Sequence, residues 1–277
     1  MVVETETAMD QCTEQQLESF VKRSIVPAFV TLAMHPTGSM SLQFLVLNVL
    51  RVKFPNLLQV CLVQIKRHCL LFVTHPVASS LIRKVMTGTF SESRFIVEIM
   101  AANVRMIATD DRGRRVLQDL MFARDSSQLC GLYRALLPHA LALSRHIHGN
   151  YVIQTAIEMA SEWDSERLQE ELLGHFVRLS LDRCGSNVVE TCLRHRCKRF
   201  SQHIVTELLS PRTLGALLHH RYGNYVMQTA LSSTVDGGEM KLMMQAISAQ
   251  LPSLPNHIRS KWKRFAVKAL QRCQSTT

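Results

Sequence analysis

Apolar residues recur in adjacent pairs along the C-terminal half of this chain, one helical turn apart. In Val152-Ile153-Ala156-Ile157 they occupy i, i+1, i+4 and i+5, a single stripe on a helix of 3.6 residues per turn. Val188-Val189-Cys192-Leu193 and Val226-Met227-Ala230-Leu231 repeat the stripe. Segments such as Leu168 to Leu179 and Ser201 to Leu209 predict a further amphipathic helix for each unit. Polar turns with Gly or Pro, Ser210-Pro211 and Thr234 to Gly238 among them, separate the units. No stretch sustains the period-2 alternation of strands. The pattern predicts an all-α solenoid.

A small residue stands at a fixed place before each pair, and we number it position 0. Gly149-Asn150-Tyr151-Val152-Ile153-Gln154 is followed by Gly185-Ser186-Asn187-Val188-Val189-Glu190 and Gly223-Asn224-Tyr225-Val226-Met227-Gln228, at steps of 36 (149 to 185) and 38 (185 to 223). Upstream, the frame recurs at Gly113-Arg114-Arg115-Val116-Leu117-Gln118, at Ala78-Ser79-Ser80-Leu81-Ile82-Arg83 and, most weakly, at Gly38-Ser39-Met40-Ser41-Leu42-Gln43. A degenerate seventh unit around Lys263 to Lys268 closes the array. A period in this range means stacked repeats with a core distributed along an axis. The expected organisation is an N-terminal segment or cap over residues 1–24, then a repeat domain over 25–277 with a C-terminal cap near 263.

Composition changes this picture in one direction. The net charge of +10 favours an acidic partner: nucleic acid, an anionic membrane surface or an acidic protein. The polar, acidic stretch Met1 to Gln16 lacks the features of a secretory signal or mitochondrial presequence. Ser41 to Val63 is interrupted by Asn48, Arg51, Lys53, Pro55 and Asn56, so no membrane span is expected. The eight cysteines form no CxxC pair and read as reduced, buried small hydrophobes. Cys192, His195, Cys197 and His203 do not fit a usual zinc spacing. No metal, cofactor or catalytic constellation is expected. His146 and His148 have no recognisable nucleophile or orienting carboxylate, and Asp110, Asp111 and Asp182 read as helix caps.

The variable positions carry the candidate chemistry. Positions +1 and +5 lie one above the other on a helix, +2 lies beside them, and +3 and +4 turn to the core. Each unit therefore presents two polar tips and a flat side chain. A glutamine amide offers a donor and an acceptor side by side, matching the Watson–Crick edge of uracil, and Asn150 offers a second donor. Glu190 is acceptor-only, and with Ser186 it suits the adjacent N1–H and N2–H donors of guanine. Tyr151 and Tyr225 suit stacking between bases.

These three hexapeptides resemble the last three repeats of Pumilio (PUF) RNA-binding domains, a likeness spanning Phe20 to the C-terminus. The resemblance implies a curved α-solenoid of three-helix repeats with single-stranded RNA on the concave face, antiparallel to the protein. Asn224, Tyr225 and Gln228 then read the first uracil, Ser186, Asn187 and Glu190 the guanine, and Asn150, Tyr151 and Gln154 the next uracil: 5′-UGU. Upstream, Arg115 is a stacking guanidinium and Gln118 an edge reader, while Arg114 either joins them at an adenine or meets a phosphate. Ser79 and Arg83 form a cytosine-type pair with Ser80 a poor stacker. Ser39 and Gln43 suit adenine, with Met40 as an apolar platform. The implied element is 5′-UGU-(A/N)-N-A.

The family typically has eight units and six are recognisable here. The reading is of a monomeric, cytoplasmic, non-enzymatic binder of messenger RNA that regulates translation or stability, with effector proteins on other surfaces. The alternatives are a nucleolar relative that binds ribosomal RNA precursors, and a protein-binding helical scaffold with a decayed RNA face.

Overall fold

The computed structural model describes residues 13–88, 90–195, 198–234 and 237–274. It is all-α: among the described residues there is no strand. None of their helices is long and apolar enough to cross a membrane. The chain divides into two compact units, Met1–Ala135 and Leu136–Thr277.

In the second unit each repeat is a triplet of helices, the last of which carries the motif. Glu162–Glu170 and Phe176–Ser180 precede Gly185–Arg194, and Lys198–Leu208 and Pro211–His219 precede Gly223–Ser233. The single helix expected over Leu168 to Leu179 is therefore broken. The chain turns between the two pieces at Gly174, whose φ of 76° lies in the left-handed region that glycine adopts without steric cost. Ser201 to Leu208 is helical as expected, the element begins at Lys198, and Leu209 lies in the turn that follows. The motif helices, including Gly149–Met159, pack side by side in chain order. Val152, Ile153, Ala156 and Ile157, with their counterparts in the next two repeats, are buried between layers.

Position 0 is small because two helices meet there. A Cβ on Gly185 would stand 2.8 Å from the backbone oxygen of Leu179, in the preceding short helix. The same approach recurs at Gly149 to Leu143 (2.9 Å) and at Gly113 to Ile107 (2.5 Å). The Ala78 unit carries a Cβ at this place, and its helix, Ser79–Met86, begins just past it.

Three residues before position 0 a side chain caps the helix entrance in all six units. Asp182 Oδ1 accepts from the backbone N–H of Cys184 (2.8 Å) and Gly185 (2.9 Å). Asp110 does the same for Arg112 and Gly113. His35, His75, His146 and His220 accept through Nδ1 at the same place. Each cap satisfies amide hydrogens that a helix N-terminus leaves without an intrahelical acceptor. The expectation for Asp110 and Asp182 holds. Asp111 instead faces its own helix, pairing with Arg114 (3.0 Å) and Arg115 (3.3 Å). Desolvation opposes ionisation of its carboxyl, but hydrogen bonds and charge from the two guanidinium groups prevail and hold its pKa below the ordinary value.

The first unit is built on the same plan, with motif helices Pro36–Phe44, Ser79–Met86 and Asp111–Ala123. Arg124, at the end of the last of these, reaches back one repeat to the carbonyls of Met86 (2.5 Å) and Gly88 (2.9 Å). It thus satisfies the free carbonyls at the end of the preceding motif helix. Helix runs through residues 24 and 25, where the cap was expected to give way to repeats: Glu14–Phe20, Val21–Ile25 and Val26–Met34 are continuous. The middle segment is π-helical just ahead of Pro27, whose missing N–H interrupts the regular ladder. Residues 1–12 of that expected segment lie outside the described residues.

At the other end, Asn256–Gln274 is one helix, and its buried Trp262 donates from Nε1 to the Leu218 carbonyl at 2.9 Å. This helix lies where the closing unit was expected, although the side chains of Val267 and Lys268 are not among those described. Residues 235 and 236 of the expected Thr234 to Gly238 turn are also outside the described residues.

Cys61, Cys69 and Cys192 are buried, with burial pushing each thiol up to about 12. Cys130 is exposed and Cys184 half-buried, so the expectation that all are buried fails for these two. Cys12 and Cys197 lie outside the described residues, and with Cys197 so does part of the segment weighed for zinc; the side chain of Cys273 is not among those described.

Candidate nucleic-acid interface

The three motif helices of the second unit place their variable side chains in one repeating arrangement. Position +1 is buried (Asn150, Ser186, Asn224), +2 is exposed (Tyr151, Asn187, Tyr225) and +5 is half-buried (Gln154, Glu190, Gln228). The exposed aromatic and the half-buried polar tip therefore face solvent together.

Burial of +1 corrects one part of the sequence expectation. Asn150 was expected to offer a free donor. Its Nδ2 instead donates to the carbonyls of His146 (2.8 Å) and Ile147 (3.0 Å) in the turn just before the helix. Asn224 repeats this with His220 and Arg221 at 2.8 and 3.0 Å. Each Oδ1 accepts from the glutamine one turn on, Gln154 or Gln228, at 2.9 Å. Asparagine at +1 thus closes the helix entrance and orients the +5 amide. In the Gly185 unit the shorter Ser186 hydroxyl donates to Arg183 O at 3.4 Å, and Asn187 Nδ2 donates to the same oxygen at 3.3 Å.

The glutamate differs from its glutamine neighbours in its partners. Glu190 Oε2 accepts from Arg194, one turn along its own helix (2.6 Å), and from Thr229 Oγ1 of the next repeat (2.8 Å). Thr191 Oγ1 approaches Gln154 Oε1 at 3.4 Å and the Asn187 carbonyl at 3.0 Å. At the end of the array Lys261 Nζ donates to Asn224 Oδ1 (2.7 Å) and lies 5.4 Å from the centre of the Tyr225 ring. The roles of Thr191, Thr229, Arg194 and Lys261 were not read from the sequence. The recurrence of threonine at +6 (Thr155, Thr191, Thr229) was a visible signal for two of them. Arg194 and Lys261 left none in the repeat register.

The first unit holds its candidates differently. Arg114 Nη2 is 3.0 Å from Asp111 and Nη1 is 3.4 Å from Gln118 Oε1, so this guanidinium lies within its own helix surface. Arg115, largely exposed, shares Asp111. Arg83 pairs with Asp119 of the following repeat at 2.5 Å. Gln43 Nε2 donates to Ser80 Oγ (2.9 Å) and Ser39 Oγ (3.2 Å). Ser39 and Ser79 are buried, while Met40 is 59% exposed.

Among the described residues no group of three or more His, Cys, Asp or Glu is placed to hold a metal ion.

Comparison with known proteins agrees with the repeat fold. Residues 164–277 match the NOP9-like PUF repeat domain, and residues 139–173 match the Pumilio-family RNA binding repeat. Pumilio homolog 12 of Arabidopsis thaliana is 33% identical over 161 residues, 58% of this chain and 27% of that protein. A Pumilio domain-containing protein of Schizosaccharomyces pombe is 25% identical over 249 residues, 89% of this chain and 36% of that protein. The chain thus spans about a third or less of the length of these relatives. A mutant Puf4 bound to the Cox17 RNA 3′ UTR recognition sequence shares the fold, with a TM-score of 0.80 at 22% identity over 98% of this chain and 90% of that one.

Proposed function

We propose, for a chain that belongs to the Pumilio (PUF) repeat family, that its C-terminal repeats bind single-stranded RNA and select a 5′-UGU element, and that it regulates the messenger RNAs that carry it. The activity is binding rather than catalysis, and we place it in the cytoplasm. Backbone attraction comes from the net charge of +10, order from stacking on Tyr151 and Tyr225, and selection from Gln154, Glu190 and Gln228.

One observation carries the reading. Successive motif helices put glutamine, glutamate and glutamine at a single register position, each beside an exposed residue able to cover a base. An acceptor-only carboxylate between two amides fits a donor-rich edge between two mixed ones, which is guanine between uracils.

The test exchanges the code of the middle unit. Ser186→Asn with Glu190→Gln reproduces the +1 and +5 residues of its neighbours. The double variant is expected to lose its guanine preference at the second base and favour uracil there, by ~1–3 kcal/mol per mismatched base in competition binding. A double variant that still prefers guanine contradicts the assignment of that pocket.

A further inference from the structure

We infer that the base preference of one unit is set in part by the next unit, through the side chain at position +6. The inference rests on the reading of positions +5 as edge readers. It adds positioning residues that do not themselves belong to the pocket's own repeat.

The observation is a contact that recurs in one register. Thr229, at +6 of the Gly223 unit, donates its hydroxyl to Glu190, at +5 of the unit before. Thr191, at +6 of the Gly185 unit, makes the equivalent approach to Gln154. In the first unit Asp119, at +6 after Gly113, meets Arg83, at +5 after Ala78. The chemistry changes sign together: a hydroxyl donor faces an acceptor reader, and a carboxylate faces a cationic one. The two threonines are buried, at 4% and 8% exposure. A threonine in a helix can place its hydroxyl on the carbonyl one turn back. Thr191 does so at 3.0 Å, in competition with Gln154. Thr229 sends its short contact across the repeat boundary.

The consequence is sharpest at Glu190. Its Oε2 receives Thr229 and Arg194 together, which fills the two lone-pair sites of that oxygen. The carboxylate is then fixed in direction, with the acceptor sites of Oε1 left for a ligand. A reader held in place loses less side-chain freedom on binding than a mobile one. It also keeps the acceptor sites of Oε1 aimed where the donors of a guanine edge arrive. Thr229 thus acts on the second base of the element, although its own repeat reads the first.

This displacement by one unit supplies the test. Dissociation constants of the full chain are measured for a UGU-containing RNA and for single-base variants at each of the three places. Thr229→Val is expected to reduce the preference for guanine over uracil at the second base by about tenfold, the loss of one hydrogen bond to a charged group. The preference at the first base should stay unchanged, and Thr229→Ser should restore the second. Thr191→Val, the independent variant, should weaken discrimination at the third base and leave the second intact, by a smaller factor because its hydroxyl is shared. Unchanged second-base preference in Thr229→Val, or an equal loss at first and second bases, overturns the inference while leaving the edge-reading assignment standing. A wild-type chain without guanine preference at the second base overturns both.

Discussion

Asparagine at +1 is engaged by the fold itself in the Gly149 and Gly223 repeats. Both Nδ2 hydrogens of Asn150 close the turn behind the helix, and its Oδ1 steadies Gln154. The side chains left accessible are therefore those at +2 and +5, where Tyr151 and Tyr225 are about half exposed. Tyr225→Ala should weaken binding of a UGU-containing RNA by ~1–3 kcal/mol, the stacking contribution of one base, measured by titration. Its ratio of affinities for matched and mismatched bases at the second and third places should be retained, because Glu190 and Gln154 are untouched. The residue types and spacing made +2 and +5 legible in the sequence. Burial of +1 was not legible: helical periodicity puts +1 and +5 on one face, but says nothing of the preceding turn that folds down over +1. Thr229 was hidden for a related reason, since its partner Glu190 lies 39 residues away in another repeat.

At the scale of the element, two constraints shape every motif helix. The helix must start where a neighbouring backbone crosses it, and its first amides must find acceptors. Glycine answers the first in five of the six, Ala78 standing in its place in the other, and the side chain at −3 answers the second. Gly185→Ala should destabilise the chain by ~1–3 kcal/mol, because the new methyl meets the Leu179 carbonyl at 2.8 Å and backbone must move. The midpoint of urea unfolding reports it, and an unshifted midpoint would mean that the helices part freely. The apolar stripes identified these helices correctly, since Val188, Val189 and Cys192 are fully buried. The preceding helices were less legible. Leu168 to Leu179 has continuous apolar spacing, yet Gly174 and its positive φ divide it into two short pieces. The capping histidines were also visible at −3 in four units, but an isolated histidine carries no mark of the amides it will face.

At the scale of the whole molecule, one plan is used with two outcomes. In Leu136–Thr277 the proposed readers are amides and a carboxylate beside exposed Tyr151, Asn187 and Tyr225. In Met1–Ala135 the corresponding cations are engaged within the protein, Arg83 by Asp119 and Arg114 by Asp111. The likeness to RNA-binding repeats was readable in the second half because its three hexapeptides keep polar type and spacing together. It faded in the first half because serine and arginine stand at +1 there and no aromatic stands at +2, although Gln43 and Gln118 keep the amide at +5. Trp262 and Lys261 close the last repeat from a helix whose sequence shows only a degenerate copy of the motif. The central claim is that the second half selects 5′-UGU. Its most direct test is binding of the full chain, at physiological salt, to a short RNA containing 5′-UGUANA beside one containing 5′-ACAANA. The account predicts tighter binding to the first by ~1–3 kcal/mol for each mismatched base. Equal affinity for the two RNAs would contradict it.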